Sequence, residues 1–198
     1  MTLAPRIDTH PLTSDRWRDL AALFETSGTT RTCWCMWFRE STADFRANGG
    51  DKNKRAFRRI VQRNDAPPGV LAYIDGSVAG WCAVAPREQY TRLARSRTLK
   101  PVDDQPVWSV TFFFIGSHAR RKGVGHALLR AAVDLAAHHG AKIIEGYPLV
   151  PGRKLRSDEA YVGVSSLFEK AGFSEVARPS DSRVIMRREV TSAKRRRR

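Results

Sequence analysis

Apolar residues change their spacing several times along this chain, and each change marks an expected element. Residues 6–12, RIDTHPL, read as a short first strand. Trp17, Leu20, Leu23 and Phe24 then recur at helical spacing behind Ser14, a residue type that caps helix starts, so a helix is expected over about 15–26. TTRTCWCMWFRES (29–41) has no period and reads as loop or irregular strand. GGDKNKRAFRRIVQRND (49–65) reads as a second, very basic helix that APPG ends. VLAYI and VAGWCAV flank Asp75-Gly76, a strong two-residue turn signal, and predict a hairpin.

The second half alternates more regularly. A polar connection over 87–106, with room for a short helix, leads to VWSVTFFFI (107–115), apolar on both faces apart from Ser109 and Thr111 and so a central strand. Val124, Ala127, Leu128, Ala131 and Leu135 form the stripe of the next helix, with Gly140 as its stop. AKIIEGYPL reads as a buried strand. SLFEKAG carries a capping box, Ser166 to Glu169, and a stop at Gly172; FSEVARP and RVIMRRE are a closing pair of strands. The order βαα, hairpin, βαβ, α, ββ predicts an α/β mix around one central sheet.

Bulk properties narrow the class. The 198 residues suit one domain, and 41% hydrophobic content can fill a core. No apolar run reaches the roughly 18 residues that span a bilayer. Arg6, Asp8 and His10 interrupt the N-terminal segment, which therefore lacks a signal-peptide core, and three cysteines make an odd number. A reducing, cytoplasmic setting is the expectation. Net charge is +15, from 35 Lys and Arg against 20 Asp and Glu; with five of the 35 in Lys194–Arg198, the remainder is still +10. Such a body attracts anions. The tail reads first as a solvated end.

Charge and glycine are densest together at Arg120-Arg121-Lys122-Gly123-Val124-Gly125, at the mouth of the helix expected after the central strand. A helix N-terminus exposes unpaired N–H groups and the positive end of the dipole, so this arrangement makes a cradle for a pyrophosphate. A dinucleotide fingerprint requires Gly or Ala where Leu128 stands, and no Gly-Lys-Ser/Thr string exists for a triphosphate loop.

The hexamer resembles the acetyl-CoA motif of the GNAT superfamily of N-acetyltransferases, Arg/Gln-x-x-Gly-x-Gly/Ala. Residues 107–149 follow the family's strand, loop, helix and strand, and SSLFEKAGF is similar to its second signature. The resemblance covers roughly 106–188. It implies a mixed, mainly antiparallel sheet of about six to seven strands, flanked by helices, with two splayed central strands and the thioester in the gap. It implies acetyl-CoA as cosubstrate and no metal. Backbone of Phe113, Phe114 and Ile115 would pair with the pantetheine arm, and N–H groups from Arg121 through Lys122, Gly123, Val124 and Gly125 to His126 would hold the pyrophosphate, with charge added by Arg120. Phe168 would border the pantetheine end. The tyrosine that often protonates the leaving thiolate in this family is replaced by Phe168, and a phenyl ring cannot donate a proton.

Acetyl transfer needs a neutral amine. Glu145, on the strand after the cofactor helix, is the candidate base, or else a carboxylate paired with one of many arginines. Tyr161 is the candidate acid, with Tyr147 and solvent as alternatives. Trp34 and Trp37 are candidate walls of an acceptor pocket, with core packing the competing assignment. Cys33-x-Cys35 resembles half a zinc site, but Cys82 and the histidines do not complete it; no histidine beside Cys33, Cys35 or Cys82 activates them for a covalent route.

The chain therefore reads as one domain over 1–193 with a basic tail, 194–198: an N-acetyltransferase that moves acetyl directly to a small-molecule amine, not a polycation. A homodimer and a weak nucleic-acid contact through the tail are compatible with this. Two rival readings stay open: a non-catalytic acetyl-CoA sensor, and a nucleic-acid-binding module built on Arg55, Arg58, Arg59, Arg63 and the tail.

Overall fold

The computed structural model describes residues 6–63, 66–150 and 160–190. The basic tail Lys194–Arg198 lies outside the described residues. Strand β1 (Ile7–Pro11) pairs with β2 (Gly69–Ile74), which turns through Asp75 and Gly76, at φ +48° and +81°, into β3 (Ser77–Pro86). Two positive φ values give the primed turn whose twist matches the strands. Then come β4 (Trp108–Ile115), β5 (Ile143–Gly146), β6 (Ser174–Ser180) and β7 (Arg183–Glu189). They form one seven-stranded sheet in the order β1-β2-β3-β4-β5-β7-β6, in which only β4 and β5 run parallel.

Helices cover both faces. On one side lie α1 (Trp17–Glu25), α2 (Gly28–Cys33) and α3 (Thr42–Arg63); the apolar faces of α1 and α3 join Leu71, Trp81 and Phe114 in one core, and α2 packs against both helices. On the other lie α5 (Val124–His138) and α6 (Ser165–Lys170), packed with Val84, Val110 and Phe113. A third cluster gathers where the connection from β3 to β4, including α4 (Thr91–Ala94), covers Tyr147 and Ile185. Burial on two faces explains why β3 and β4 are apolar almost throughout.

Four local expectations are corrected. The first helix opens as a 3-10 turn over Ser14–Arg16, and no side chain caps α1. The stretch over 29–41 contains the short helix α2, closed by two consecutive left-handed residues, Trp34 (φ +44°) and Cys35 (φ +57°). The basic helix starts earlier, at Thr42, and is broken at Gly49 (φ +64°, ψ −178°). The capping box is not formed: Val164 stands at the N-cap of α6 without a side-chain bond, and Ser166 lies inside the helix. Periodicity found the elements, but their ends were decided by tertiary contacts.

No helix among the described residues is long and apolar enough to cross a membrane.

Candidate active site

Two strands part at the centre of the sheet. β4 pairs with β5 only from Trp108 to Val110, opposite Ile144 to Gly146, while it follows β3 all the way to Ile115. Val110 faces Val84 and Phe112 faces Ala83, so Thr111 is an extra residue, a bulge that bends β4 where β5 leaves it. The second half of β4 therefore has an open edge. Gly116 N–H is accepted by Ala79 O at 3.0 Å. By two-residue alternation, the polar groups of Ile115 and Phe113 point the other way, to that open edge, and those of Phe114 point to β3.

The mouth of α5 stands beside this edge. Gly123 occupies the N-cap at φ +85°, a left-handed conformation that any other residue adopts at a cost, and Arg121 is also left-handed at φ +62°. No backbone carbonyl of the described residues accepts from the N–H groups of Arg121, Lys122, Gly123, Val124 or Gly125. Arg120, Arg121 and Lys122 are exposed around them. His126 is the exception, because its N–H is accepted by Gly123 O at 3.1 Å. Five of the six expected donors are thus available. A Cβ on Gly125 would sit 3.5 Å from Ile115 Cδ1 and 3.7 Å from Leu167 Cδ2, ordinary contact. Backbone donors without a carbonyl partner, ringed by three exposed cations, are the donor set a pyrophosphate needs, so the residues present fit one.

Phe168 is not at the mouth of the gap. It is fully buried under it, edge-on to Phe113 at 6.0 Å and to Phe173 at 5.1 Å. Gly146 has no room for a side chain because a Cβ there would meet Phe168 Cε1 at 2.2 Å. The ring packs between Phe113, Gly146 and Phe173, where the two strands diverge.

On the opposite side of the sheet from α5, a cavity of about 560 Å³ opens against Thr111 and Phe112. Its aromatic wall comes from Trp37, Phe38, Phe45, Phe112 and Tyr161. Tyr161 stacks on Phe112 at 5.1 Å between centroids, and Trp37 meets Phe45 edge-on at 5.1 Å. Trp37 is 42% exposed. Trp34 is not on this wall. The left-handed pair at 34 and 35 reverses the chain, so Trp34 turns inward against Trp17 (5.6 Å) and Phe24 (5.3 Å), and its Nε1 donates to Arg31 O at 2.7 Å. The paired tryptophans of the sequence divide, one into the core and one into the cavity.

Glu145 also lies away from the cavity lining. It is fully buried on β5, where Oε1 accepts from Arg87 Nη1 (2.7 Å) and Tyr147 OH (2.6 Å), and Oε2 accepts from Arg187 Nε (2.7 Å). Ser109 Oγ shares a hydrogen bond with Tyr147 OH at 2.8 Å. Burial, and then the neighbouring Glu145 charge, push the Tyr147 hydroxyl well above the usual tyrosine range. Both oxygens are committed to guanidinium groups, so Glu145 has the arrangement of the arginine-paired carboxylate, the alternative to a base that the sequence left open. Arg87 and Arg187 were hidden from sequence reading because they lie 58 and 42 residues away.

The cysteines do not form a relay. Burial raises the Cys33 thiol above its ordinary value, and burial pushes Cys35 and Cys82 up as well. Cys35 Sγ accepts from Trp81 Nε1 at 3.1 Å. Among the described residues, no group of three or more His, Cys, Asp or Glu could hold a metal ion.

Sequence and structure comparisons agree with this geometry. The model of the acetyltransferase (GNAT) family matches residues 34–147. A search of curated protein sequences found no match. Among solved structures, the chain is similar to a GNAT-family acetyltransferase from Streptococcus pneumoniae, with TM-score 0.54 at 15% identity, covering 94% of this chain and 100% of that one. It is similar to a structure from Corynebacterium glutamicum described as histone acetyltransferase HPA2 and related acetyltransferase, with TM-score 0.54 at 18% identity over 97% and 99% of the two chains. A PaiA N-acetyltransferase from Thermoplasma acidophilum, in complex with coenzyme A, gives TM-score 0.52 at 15% identity over 93% and 99%. At such identities the likeness is one of fold. The family model covers more than half of the sequence and includes the helix mouth and both splayed strands, and so the chain belongs to the acetyltransferase (GNAT) family.

Proposed function

We propose that the protein is an acetyl-CoA-dependent N-acetyltransferase that moves the acetyl group directly to a primary amine of a small acceptor. The observation that carries this reading is that two features flank the second half of β4, the helix mouth beside Ile115 and the cavity at Thr111 and Phe112. The five N–H groups without a backbone partner among the described residues and the edge of β4 that β5 leaves uncovered lie to one side, and the cavity against Thr111 and Phe112 lies to the other. A cosubstrate held along the edge and an amine held in the cavity would meet there without a covalent intermediate.

Acetyl-CoA, when bound, supplies a thioester: the amine lone pair forms the C–N bond, the C–S bond breaks, the nitrogen loses one proton and the thiolate gains one. The chain's part is to bind, orient and move those protons. N–H groups of residues 121–125 hold the phosphates without cost in reorganisation. The open edge of Phe113 and Ile115 aligns an extended amide-bearing arm as an added strand would be aligned. Deprotonating a lysine-like amine near pH 7 costs about 4 kcal/mol, from a pKa roughly three units above the medium. Glu145 is engaged elsewhere, so solvent reaching the cavity is the proton acceptor in this reading. Tyr161, whose ring lines the cavity, is the proton donor to the leaving sulfur.

The test is calorimetry with acetyl-CoA followed by a thiol-release assay over amines, amino acids and basic peptides. Binding with turnover supports the reading. Binding without turnover of any amine would leave a sensor, and retention on DNA without acetyl-CoA binding would leave a nucleic-acid module.

A further inference from the structure

The outward face of α3 lies on the opposite side of the sheet from the helix mouth of α5. Residues 50–63 carry six cations and one carboxylate. Burial sorts the helix: Asn53, Phe57 and Val61 turn into the core, while Asp51, Lys52, Arg55, Arg58, Arg59 and Gln62 face solvent. Spacings of three and four set Lys52, Arg55 and Arg59 in one row, with Arg58 beside it. At about 1.5 Å of rise per residue, that row is about 10 Å long.

The fold does not use these charges. Among the described residues, Lys52, Arg55, Arg58 and Arg59 form no ion pair, and neither does Asp51, which shares their face. Lys54, nearer the core, is instead paired with Glu25 of α1 at 2.9 Å. Arg63 borders residues 64 and 65, which lie outside the described residues, and is not counted in the face. Arg58 is fixed by packing, its guanidinium 5.9 Å from the ring centroid of Trp17. Arg55 and Arg59 are like charges four residues apart, a spacing that weakens a helix unless something of opposite sign lies across it. A regular array of phosphates does this. One strand of DNA carries a phosphate for about every 3.4 Å of axis, so about three stand along a row of this length.

The remaining side chains select among polyanions. Three of the four cations are arginines, whose planar fork meets phosphate at two points. The apolar residues of α3 are committed to the core, and the exposed large hydrophobic residues, Trp37, Val102 and Val176, all lie outside this helix. The face therefore has nothing to insert into a bilayer and no ring on which an unpaired base would stack. Gln62 is the one exposed uncharged polar side chain of 50–63, which is little with which to read ribose 2′-hydroxyls. We propose that this face binds duplex DNA through its phosphate backbone, without reading the base sequence.

The experiment is fluorescence anisotropy of a labelled DNA duplex with the full chain, at several salt concentrations. The slope of log affinity against log salt should be about −3 to −4, near −0.9 for each phosphate neutralised. Arg55→Gln with Arg59→Gln should weaken binding roughly tenfold or more and flatten the slope by about 2. The same loss should appear in a chain that lacks Lys194–Arg198, and two duplexes of unrelated sequence should agree within about threefold. Circular dichroism checks that the variants are folded. No binding at about 50 mM salt, or equal affinity in the double variant and the wild type, overturns the proposal. So does binding that vanishes on removal of Lys194–Arg198 alone, which assigns it to the tail. Tighter binding to a single strand, an RNA duplex or phosphatidylserine vesicles than to the DNA duplex overturns it as well. Acetyl-CoA affinity, measured on the same preparations, should be equal in variant and wild type; its absence from both would remove the acetyltransferase reading and leave the DNA face standing.

Discussion

Glu145 Oε1 lies 2.7 Å from Arg87 Nη1, with the carboxylate fully withdrawn from water and the Arg87 side chain 12% exposed. This contact ties the long connection between β3 and β4 to β5, the strand that parts from β4 at the splay. Arg187 closes on the other oxygen at 2.7 Å and also reaches Asp103 at 2.7 Å in the same connection. Substituting one partner leaves buried guanidinium groups without a counter-charge, the expensive way to break such a network. Glu145→Gln should therefore lower stability by about 3 kcal/mol in urea unfolding. At a temperature where the variant is folded, the acidic limb of its rate profile should match the wild type. A flattened limb with unchanged stability would return Glu145 to the role of base.

The helix mouth makes a steric prediction. Gly125→Ala adds only ordinary contacts with Ile115 and Leu167, so acetyl-CoA affinity should change by about threefold or less. Gly125→Trp fills the cradle and should abolish calorimetric binding without changing the far-ultraviolet circular dichroism. Arg120→Ala should do less than Gly125→Trp, since the donors at 121–125 are backbone groups. Unchanged affinity in Gly125→Trp would remove the cradle.

Trp34 and Trp37 should separate cleanly. Trp34 is 1% exposed within an aromatic cluster, and Trp34→Ala should cost about 3–5 kcal/mol. Trp37→Ala should cost about 1 kcal/mol or less and act on the acceptor KM instead. Chemical denaturation of both variants beside steady-state kinetics on the second checks this.

Tyr161→Phe keeps the ring on Phe112 and removes only the hydroxyl. A fall in kcat of about a hundredfold with a flattened alkaline limb is expected of a general acid. A wild-type profile would assign the proton to solvent.

A pH effect on stability is expected at the far end of α5. His139 stacks on Trp108 at 5.7 Å, and burial, followed by the charge of His138, lowers its pKa from 6.5. A histidine with a lowered folded-state pKa binds fewer protons folded than unfolded, so its contribution is present above about pH 6.5 and is lost as pH falls below that value. The melting temperature should drop between pH 7.5 and 5, and His139→Gln should reduce that drop. An identical pH dependence in the variant would show that other groups carry it.

Much of this molecule was determined locally and was legible in the chain. Asp75-Gly76 takes the two positive φ values of a primed turn by itself, the apolar run of β4 demands burial on both faces, and the glycines and cations at 120–125 mark the mouth of a helix. What tertiary structure decided were matters of register and reversal. The bulge at Thr111 exists only because β3 holds β4 in a register two residues of which cannot both pair. Trp34 and Trp37 differ in fate because the left-handed turn at 34 and 35 reverses the chain between them, and no spacing rule encodes that reversal. Glu145 could be named from sequence as a base or as an ion-pair partner. The choice was made by Arg87 and Arg187, brought from distant elements to a buried carboxylate that has no water to replace them.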